Sequence, residues 1–242
     1  MHRMSEWNSS MISFMNDASV YGDYFEALSA ELSQYIQKDM TVCDAGCGIG
    51  QLSFALSPYA ESVTGIDKSV SAIEFCKGKK RVSDTSNVCF ECKDLMEMSE
   101  AAVFDVMVFN YFGRMEQIIE IARRHCRKRV IIIKKNYREH RFSIGKTPIS
   151  GQELYGADEC LEREKIAHTR DLFSHEFGQP FRSLEDAVKF FGIYSRDEDR
   201  SIINTENVQS RLVKTNNPVF PWYLPHVRES RIYIIEMKEI LK

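Results

Sequence analysis

The chain has no uninterrupted apolar run of the roughly 18 residues that marks a membrane-spanning helix, and no charged start leading into an apolar segment. Secretion and membrane insertion therefore lack their usual signals. A strong charge of one sign is also missing: 32 Lys and Arg against 35 Asp and Glu leave a formal net charge of -3. That balance gives no general attraction for a polyanion and argues against nucleic acid as the partner. The seven cysteines, Cys43, Cys47, Cys76, Cys89, Cys92, Cys126 and Cys160, are odd in number and form no regular framework. A reducing cytoplasm is the expected setting. Cys89-Phe90-Glu91-Cys92 lacks a second ligand pair, so no metal site is expected. Serine nucleophile elbow, H-E-x-x-H helix and lysine P-loop are all absent, as are repeats and low-complexity linkers. What is left, 43% hydrophobic and 28% charged over 242 residues, is ordinary for one globular domain spanning 1–242.

The apolar pattern alternates between strand and helix periods. Strands are predicted over Thr41–Ala45, Ser62–Asp67, Asn87–Glu91, Phe104–Asn110 and Arg129–Lys134, with a late one over Arg231–Met237. Helical patterns fall between them, over Gln51–Leu56, Val70–Lys79 and Met115–Arg124. Such alternation specifies a parallel sheet with right-handed crossovers. Ahead of it, within an N-terminal helical segment at 1–39, Phe25, Leu28, Leu32, Tyr35 and Ile36 form an apolar stripe. Two basic clusters, Lys77 to Arg81 and Arg123 to Arg129, fall at predicted helix ends, where cations complement the helix dipole and read as solvated faces.

One loop carries most of the chemistry. Asp44-Ala45-Gly46-Cys47-Gly48-Ile49-Gly50 follows the first strand, and Asp67 ends the second. Glycine lets a strand turn sharply into a helix and lets a ligand approach bare backbone. The G-x-G-x-G spacing with a preceding acid differs from the dinucleotide G-x-G-x-x-G, and Asp44 would repel a pyrophosphate yet tolerate an ammonium group. The carboxylate of Asp67 would meet a ribose diol. Gly46, Asp67, Asp94 and Asn110 all emerge at the carboxyl ends of the strands, where open α/β sheets bind ligands. Lys68 either flanks the same pocket or begins the next helix as an exposed lysine.

Through Val42 to Gly50, Gly65-Ile66-Asp67 and Asp94-Leu95, the sequence resembles the class I S-adenosylmethionine-dependent methyltransferases over roughly its first 135 residues. The resemblance implies a Rossmann-like, seven-stranded, mostly parallel sheet with one antiparallel strand, the late strand inserting beside an earlier one, and helices on both faces. It implies S-adenosyl-L-methionine as cofactor and S-adenosyl-L-homocysteine as product. Asp44, Gly46, Gly48 and Gly50 would hold the methionine portion, Asp67 the ribose, and Asp94 with Leu95 the adenine side. Asn110-Tyr111-Phe112-Gly113 would face the methionine moiety and the acceptor, and Tyr21 would close over the cofactor as N-terminal aromatics do in some members.

Acceptor selection is expected from the helical and loop elaboration at 136–230, too long for a plain crossover. Ser183 starts a helix there, with Leu184, Ala187, Val188 and Phe191 on its apolar face. Phe220-Pro221-Trp222-Tyr223 reads either as a lid or as a packed loop. Tyr111 and His175 are the candidate catalytic groups, with His168 a further candidate base; the histidines read more readily as surface or hydrogen-bonded residues than as bases. The expected activity is methyl transfer to a small molecule. A macromolecular methyltransferase, a noncatalytic S-adenosylmethionine binder and an NAD-dependent oxidoreductase are the alternatives.

Overall fold

A computed structural model describes residues 6–99 and 104–242. Two helices lead, α1 (Ser9–Tyr21) and α2 (Tyr24–Leu32), followed by β1 (Thr41–Ala45), α3 (Gln51–Leu56), β2 (Ser62–Asp67), α4 (Val70–Arg81), β3 (Val88–Cys92), β4 (Phe104–Asn110), α5 (Met115–His125) and β5 (Cys126–Lys135). The remainder contains α6 (Gly151–Arg163), β6 (Thr169–Glu176), β7 (Gln179–Phe181), α7 (Leu184–Tyr194), α8 (Thr205–Gln209), β8 (Val213–Lys214), β9 (Trp222–Leu224), β10 (Val227–Glu236) and α9 (Met237–Ile240).

Seven strands make one sheet in the order β3-β2-β1-β4-β5-β10-β6. Neighbours from β3 to β5 run parallel, and β10 lies antiparallel to both β5 and β6. Chain order reverses between β1 and β4, which opens the crevice expected of a doubly wound sheet. Both faces are covered. On one, Phe25, Leu28 and Leu32 of the expected stripe meet Val42, Val63, Val106, Val108, Ile131, Ile232 and Ile234. On the other, α5 and α9 pack through Ile118, Ile121, Ala122 and Ile240 against Met107, Phe109, Val130, Ile132 and Tyr233. The central strands are buried on both sides, which is why they read as continuous apolar runs.

The elaboration forms its own small core. Phe14 of α1, Phe181, Ala187, Phe190, Phe191, Val208 and Leu224 cluster beneath a three-stranded sheet, β7-β9-β8. The Ser183 hydroxyl caps α7 by accepting from the Asp186 amide at 3.1 Å. Trp222 and Tyr223 belong to β9, paired with both β7 and β8, and Phe220 is buried. This stretch is packed structure rather than a free flap. No helix among the described residues is long and apolar enough to cross a membrane.

Candidate functional site

β1 delivers the chain into a loop whose three glycines all take left-handed backbone, with φ of +73° at Gly46, +53° at Gly48 and +76° at Gly50. Side chains with a Cβ rarely adopt that conformation. The amides of Gly46 and Cys47 donate to the Ile66 carbonyl at 2.8 and 3.1 Å, pinning the loop to the end of β2. Asp67 completes the junction: its Oδ2 accepts from the Gly48 amide and its Oδ1 from the Ser69 amide, both at 2.9 Å. The Ser69 hydroxyl in turn caps α4. One carboxylate thus ties the glycine loop to the next helix.

Asp44 lies beneath this loop rather than on its outer surface. It is 1% exposed and accepts from the Ser53 hydroxyl of α3 at 2.6 Å. Burial pushes its carboxyl up to about 6 against the opposing effect of that hydrogen bond, and the nearby charge of Asp67 adds to the rise.

Beside the loop is a cavity of about 320 Å³. Gly46, Ile66, Asp67, Lys68 and Ser69 form one wall; Lys93, Asp94, Leu95 and Met96 a second; Phe112, Gly113 and Gln117 a third; and Glu6, Trp7 and Met11 approach from the N-terminal segment. Asp94 shapes its turn by accepting from the Met96 amide at 2.9 Å. Arg124, expected to be a solvated cation, instead donates through Nη2 to the carbonyls of Met96 and Met98, both at 2.9 Å, and fastens that turn to α5. Lys134 does the same for the third wall, donating at 2.7 Å to the Phe112 and Gly113 carbonyls, and burial pulls its ammonium down to about 8. Phe112 belongs to the segment expected to face the ligand, whereas Trp7 is a wall that the sequence pattern did not single out. A Cβ at Gly46 would lie 2.2 Å from the Phe112 ring, and one at Gly48 2.7 Å from Trp7.

The expected site residues divide into three groups. Gly46, Asp67, Lys68, Asp94 and Leu95 meet on this cavity, and Gly48 is joined to Asp67. Asp44 and Gly50 lie behind it, Gly50 against Phe90 and Cys76 in the interior. Asn110 and Tyr21 do not line it: the Asn110 Oδ1 is buried without a partner at the end of β4, and Tyr21 stacks on Tyr223, ring centres 4.9 Å apart.

Tyr111 departs from the cavity through its backbone. Its φ of +55° is a left-handed turn for a bulky residue, and it sends consecutive side chains apart: Phe112 to the cavity, Tyr111 to hydrogen-bond Ser230 at 2.6 Å. Burial pushes the Tyr111 phenol well above its ordinary range. His175 sits at the carboxyl end of β6, with Nε2 2.7 Å from Asp23, whose carboxyl is lowered by that hydrogen bond. His168 immediately precedes β6, at the other end of the same strand, and meets the Ile166 carbonyl at 3.0 Å. Among the described residues, no group of three or more His, Cys, Asp or Glu is arranged to hold a metal.

The family model described as "Methyltransferase domain" matches residues 36–190. A carboxy-S-adenosyl-L-methionine synthase of Helicobacter pylori (strain HPAG1) is 25% identical over 150 residues, covering 60% of this chain and 56% of that protein. A ubiquinone biosynthesis O-methyltransferase of Coxiella burnetii (strain Dugway 5J108-111) is 34% identical over 80 residues, 31% of this chain and 34% of that protein. The chain thus spans little more than half the length of the first of these relatives and a third of the second. Among solved structures, the YcgJ protein of Bacillus subtilis superposes with a TM-score of 0.58 at 14% identity, covering 88% of this chain and 98% of that one. A structure from work on converting a disulfide bond into a thioacetal group during echinomycin biosynthesis gives 0.53 at 15% identity, with 91% of each chain covered. At such identities the likeness is one of fold.

Proposed function

We propose that this chain, which belongs to the methyltransferase-domain family, binds S-adenosylmethionine in the cavity beside the glycine loop and methylates a small-molecule acceptor, releasing S-adenosylhomocysteine. The observation that carries the reading is the placement of Asp67. Its two oxygens already hold the Gly48 and Ser69 amides, and a carboxylate has about four acceptor positions, so acceptor capacity remains for a ribose diol at the cavity wall. The other residues present fit the same group. Asp94 and Leu95 would flank the adenine, and Gly46 would leave backbone open to the methionine portion. Asp44 would supply negative charge beneath the loop for the ammonium group.

When bound, S-adenosylmethionine supplies a methyl already activated on a sulfonium. What falls to this chain is alignment of an acceptor lone pair opposite the leaving sulfur, and exclusion of water. Tyr111 stands next to the cavity wall at Phe112, with its hydroxyl held by Ser230, and would position the acceptor. Small-molecule chemistry is also what the names of the relatives describe, carboxy-S-adenosyl-L-methionine synthesis and O-methylation in ubiquinone biosynthesis. The seven free cysteines suit a reducing cytoplasm.

Calorimetry of the full chain with S-adenosylmethionine, S-adenosylhomocysteine and NAD tests the cofactor. Preference for the two adenosyl ligands is expected, and preference for NAD would replace the reading with the oxidoreductase one. Tritium transfer from labelled S-adenosylmethionine to a panel of small molecules, proteins and RNA then tests the activity. Binding without transfer to any acceptor would favour a noncatalytic binder.

A further inference from the structure

A second group of side chains gathers at the same edge of the sheet, over the ends of β4, β5 and β10. Arg228 places its guanidinium carbon 4.5 Å from the centre of the Tyr111 ring, 4.8 Å from that of Phe177 and 5.2 Å from that of Tyr24. Arg141, from the segment after β5, stands 5.5 Å from the same Phe177 ring and 3.9 Å from Phe142, and donates to the Phe177 carbonyl at 2.9 Å. The two guanidiniums are close enough to act on one another: burial first, and then the charge of Arg228, pull Arg141 down to about 9, so both remain cationic at neutral pH. Burial and the same two charges pull His226 down to about 3, leaving it neutral.

This charge is uncompensated. The ion pairs of the described residues go to other arginines, Arg129, Arg182 and Arg231 among them, and none joins a carboxylate to Arg141 or Arg228. Three polar atoms of the group, Arg228 Nε, the Tyr24 hydroxyl and His226 Nε2, are buried without a well-formed hydrogen bond, the Tyr24 hydroxyl and Arg228 having only a loose contact with one another. Tyr24 is 1% exposed. Buried polar atoms are nearly always paired, and Arg141 and Arg228, both half-buried, carry like charge with no counter-charge between them, so the arrangement is incomplete as a piece of structure. A planar anion completes it. Guanidinium forks match a carboxylate in the plane, and the surrounding rings suit an apolar body behind it.

Position sets what that anion is. The cavity with Asp67 and Asp94 lies over β1, β2 and β3, while the arginines lie beyond β4; Tyr111 faces the arginines and Phe112 the cavity. We infer that the arginine cluster is the acceptor subsite and takes a small acceptor bearing a carboxylate, held by Arg228 and Arg141 and flanked by Tyr24, Tyr111 and Phe177. This rests on the cofactor reading of the neighbouring cavity.

The test is calorimetry of the full chain, free and saturated with S-adenosylhomocysteine, titrated with benzoate, phenylacetate and 4-hydroxybenzoate and with the amide of each. At least one carboxylate should bind, its amide at least about tenfold more weakly, the least expected for losing a hydrogen bond to a charged group. Arg228→Gln should weaken the carboxylate by a similar factor and leave the S-adenosylhomocysteine Kd within about twofold. Amides that match their acids, or failure of all three carboxylates in both states, overturn the proposal. So does parallel loss of S-adenosylhomocysteine, which would give the guanidinium to the cofactor's own carboxylate. Arg228→Met separates a ligand group from a packing one: its melting temperature should hold or rise while carboxylate binding disappears, and a marked fall with binding intact would make Arg228 structural. Wild-type protein that ignores S-adenosylhomocysteine but binds carboxylates would sink the cofactor reading alone.

Discussion

Replacing Asp44 with asparagine isolates the energetic cost of putting an acid under the glycine loop. The carboxyl is held at about 6 against an ordinary value of 3.8, chiefly by burial. Because the native value is the higher one, the folded state keeps a proton that the unfolded chain releases between those values. Stability contributed by this group therefore falls as pH rises through that window and levels off above it. At 1.36 kcal/mol per pKa unit, the penalty is about 3 kcal/mol near pH 7.5 and about half that near pH 5. Asparagine keeps an oxygen for the Ser53 hydroxyl but cannot ionise. Its unpartnered amide adds an offset that does not change with pH. The stability of Asp44→Asn relative to wild type should thus improve by about 1 to 2 kcal/mol between about pH 5 and pH 7.5, whatever its sign at either end. Urea unfolding followed by tryptophan fluorescence at the two pH values measures it, provided the m-values agree. A difference that stays constant with pH would show that Asp44 is not held in its protonated form, and the argument from burial would fail.

Asp67→Ala should weaken S-adenosylhomocysteine by about 1.5 to 3 kcal/mol in calorimetry, and should also lower the melting temperature because the Gly48 and Ser69 amides lose their acceptor; unchanged affinity would refute the ribose assignment. Gly46→Val demands left-handed backbone of a β-branched residue and drives a methyl-bearing carbon against Phe112, so binding should disappear from the titration even in protein that remains folded by circular dichroism. Gly78, in α4 with open space around it, is the contrasting case: Gly78→Ala should raise unfolding stability by about 0.5 to 1 kcal/mol with cofactor affinity unaltered. Trp222→Ala removes a half-buried ring from the small core and should cost about 2 kcal/mol of stability, while the S-adenosylhomocysteine Kd stays within about twofold; a selective loss of ligand binding would restore the lid.

The parts of the fold visible in the sequence are those whose signal is local. β1, β2 and β4 begin and end where their apolar runs do, because central parallel strands are buried on both faces. β5 starts at Cys126, ahead of the predicted Arg129, since Arg127 and Lys128 continue the strand outside the core and disguise it as a helix end. β10 likewise starts at Val227 rather than Arg231 and ends at Glu236 rather than Met237; its polar opening carries Arg228. A period-two reading would have put Arg228 and Ser230 on the same face as Ile232 and Ile234, the one available hint of the arginine cluster. The three-stranded sheet was not legible, because strands of two and three residues drawn from distant segments leave no periodicity. In the site, a glycine loop and acids at strand ends announce themselves over a few residues. Trp7 and Arg141 do not, since each takes its place only through contacts with remote elements.

The insertion of β10 between β5 and β6 also governs the order in which the chain can assemble. Among the described residues β6 has no neighbour in the large sheet except β10, and their register runs from Val227 against Glu176 to Ile234 against Thr169. During synthesis, β1 to β5 can pair as they emerge, but β6 must wait with its hydrogen-bonding edge open until the later strand has been made. Nascent chains halted before Val227 would therefore expose two unfilled edges, those of β5 and β6, to any passing strand. The interval between making β6 and making β10 is therefore the stage at which the large sheet is left open to wrong pairing.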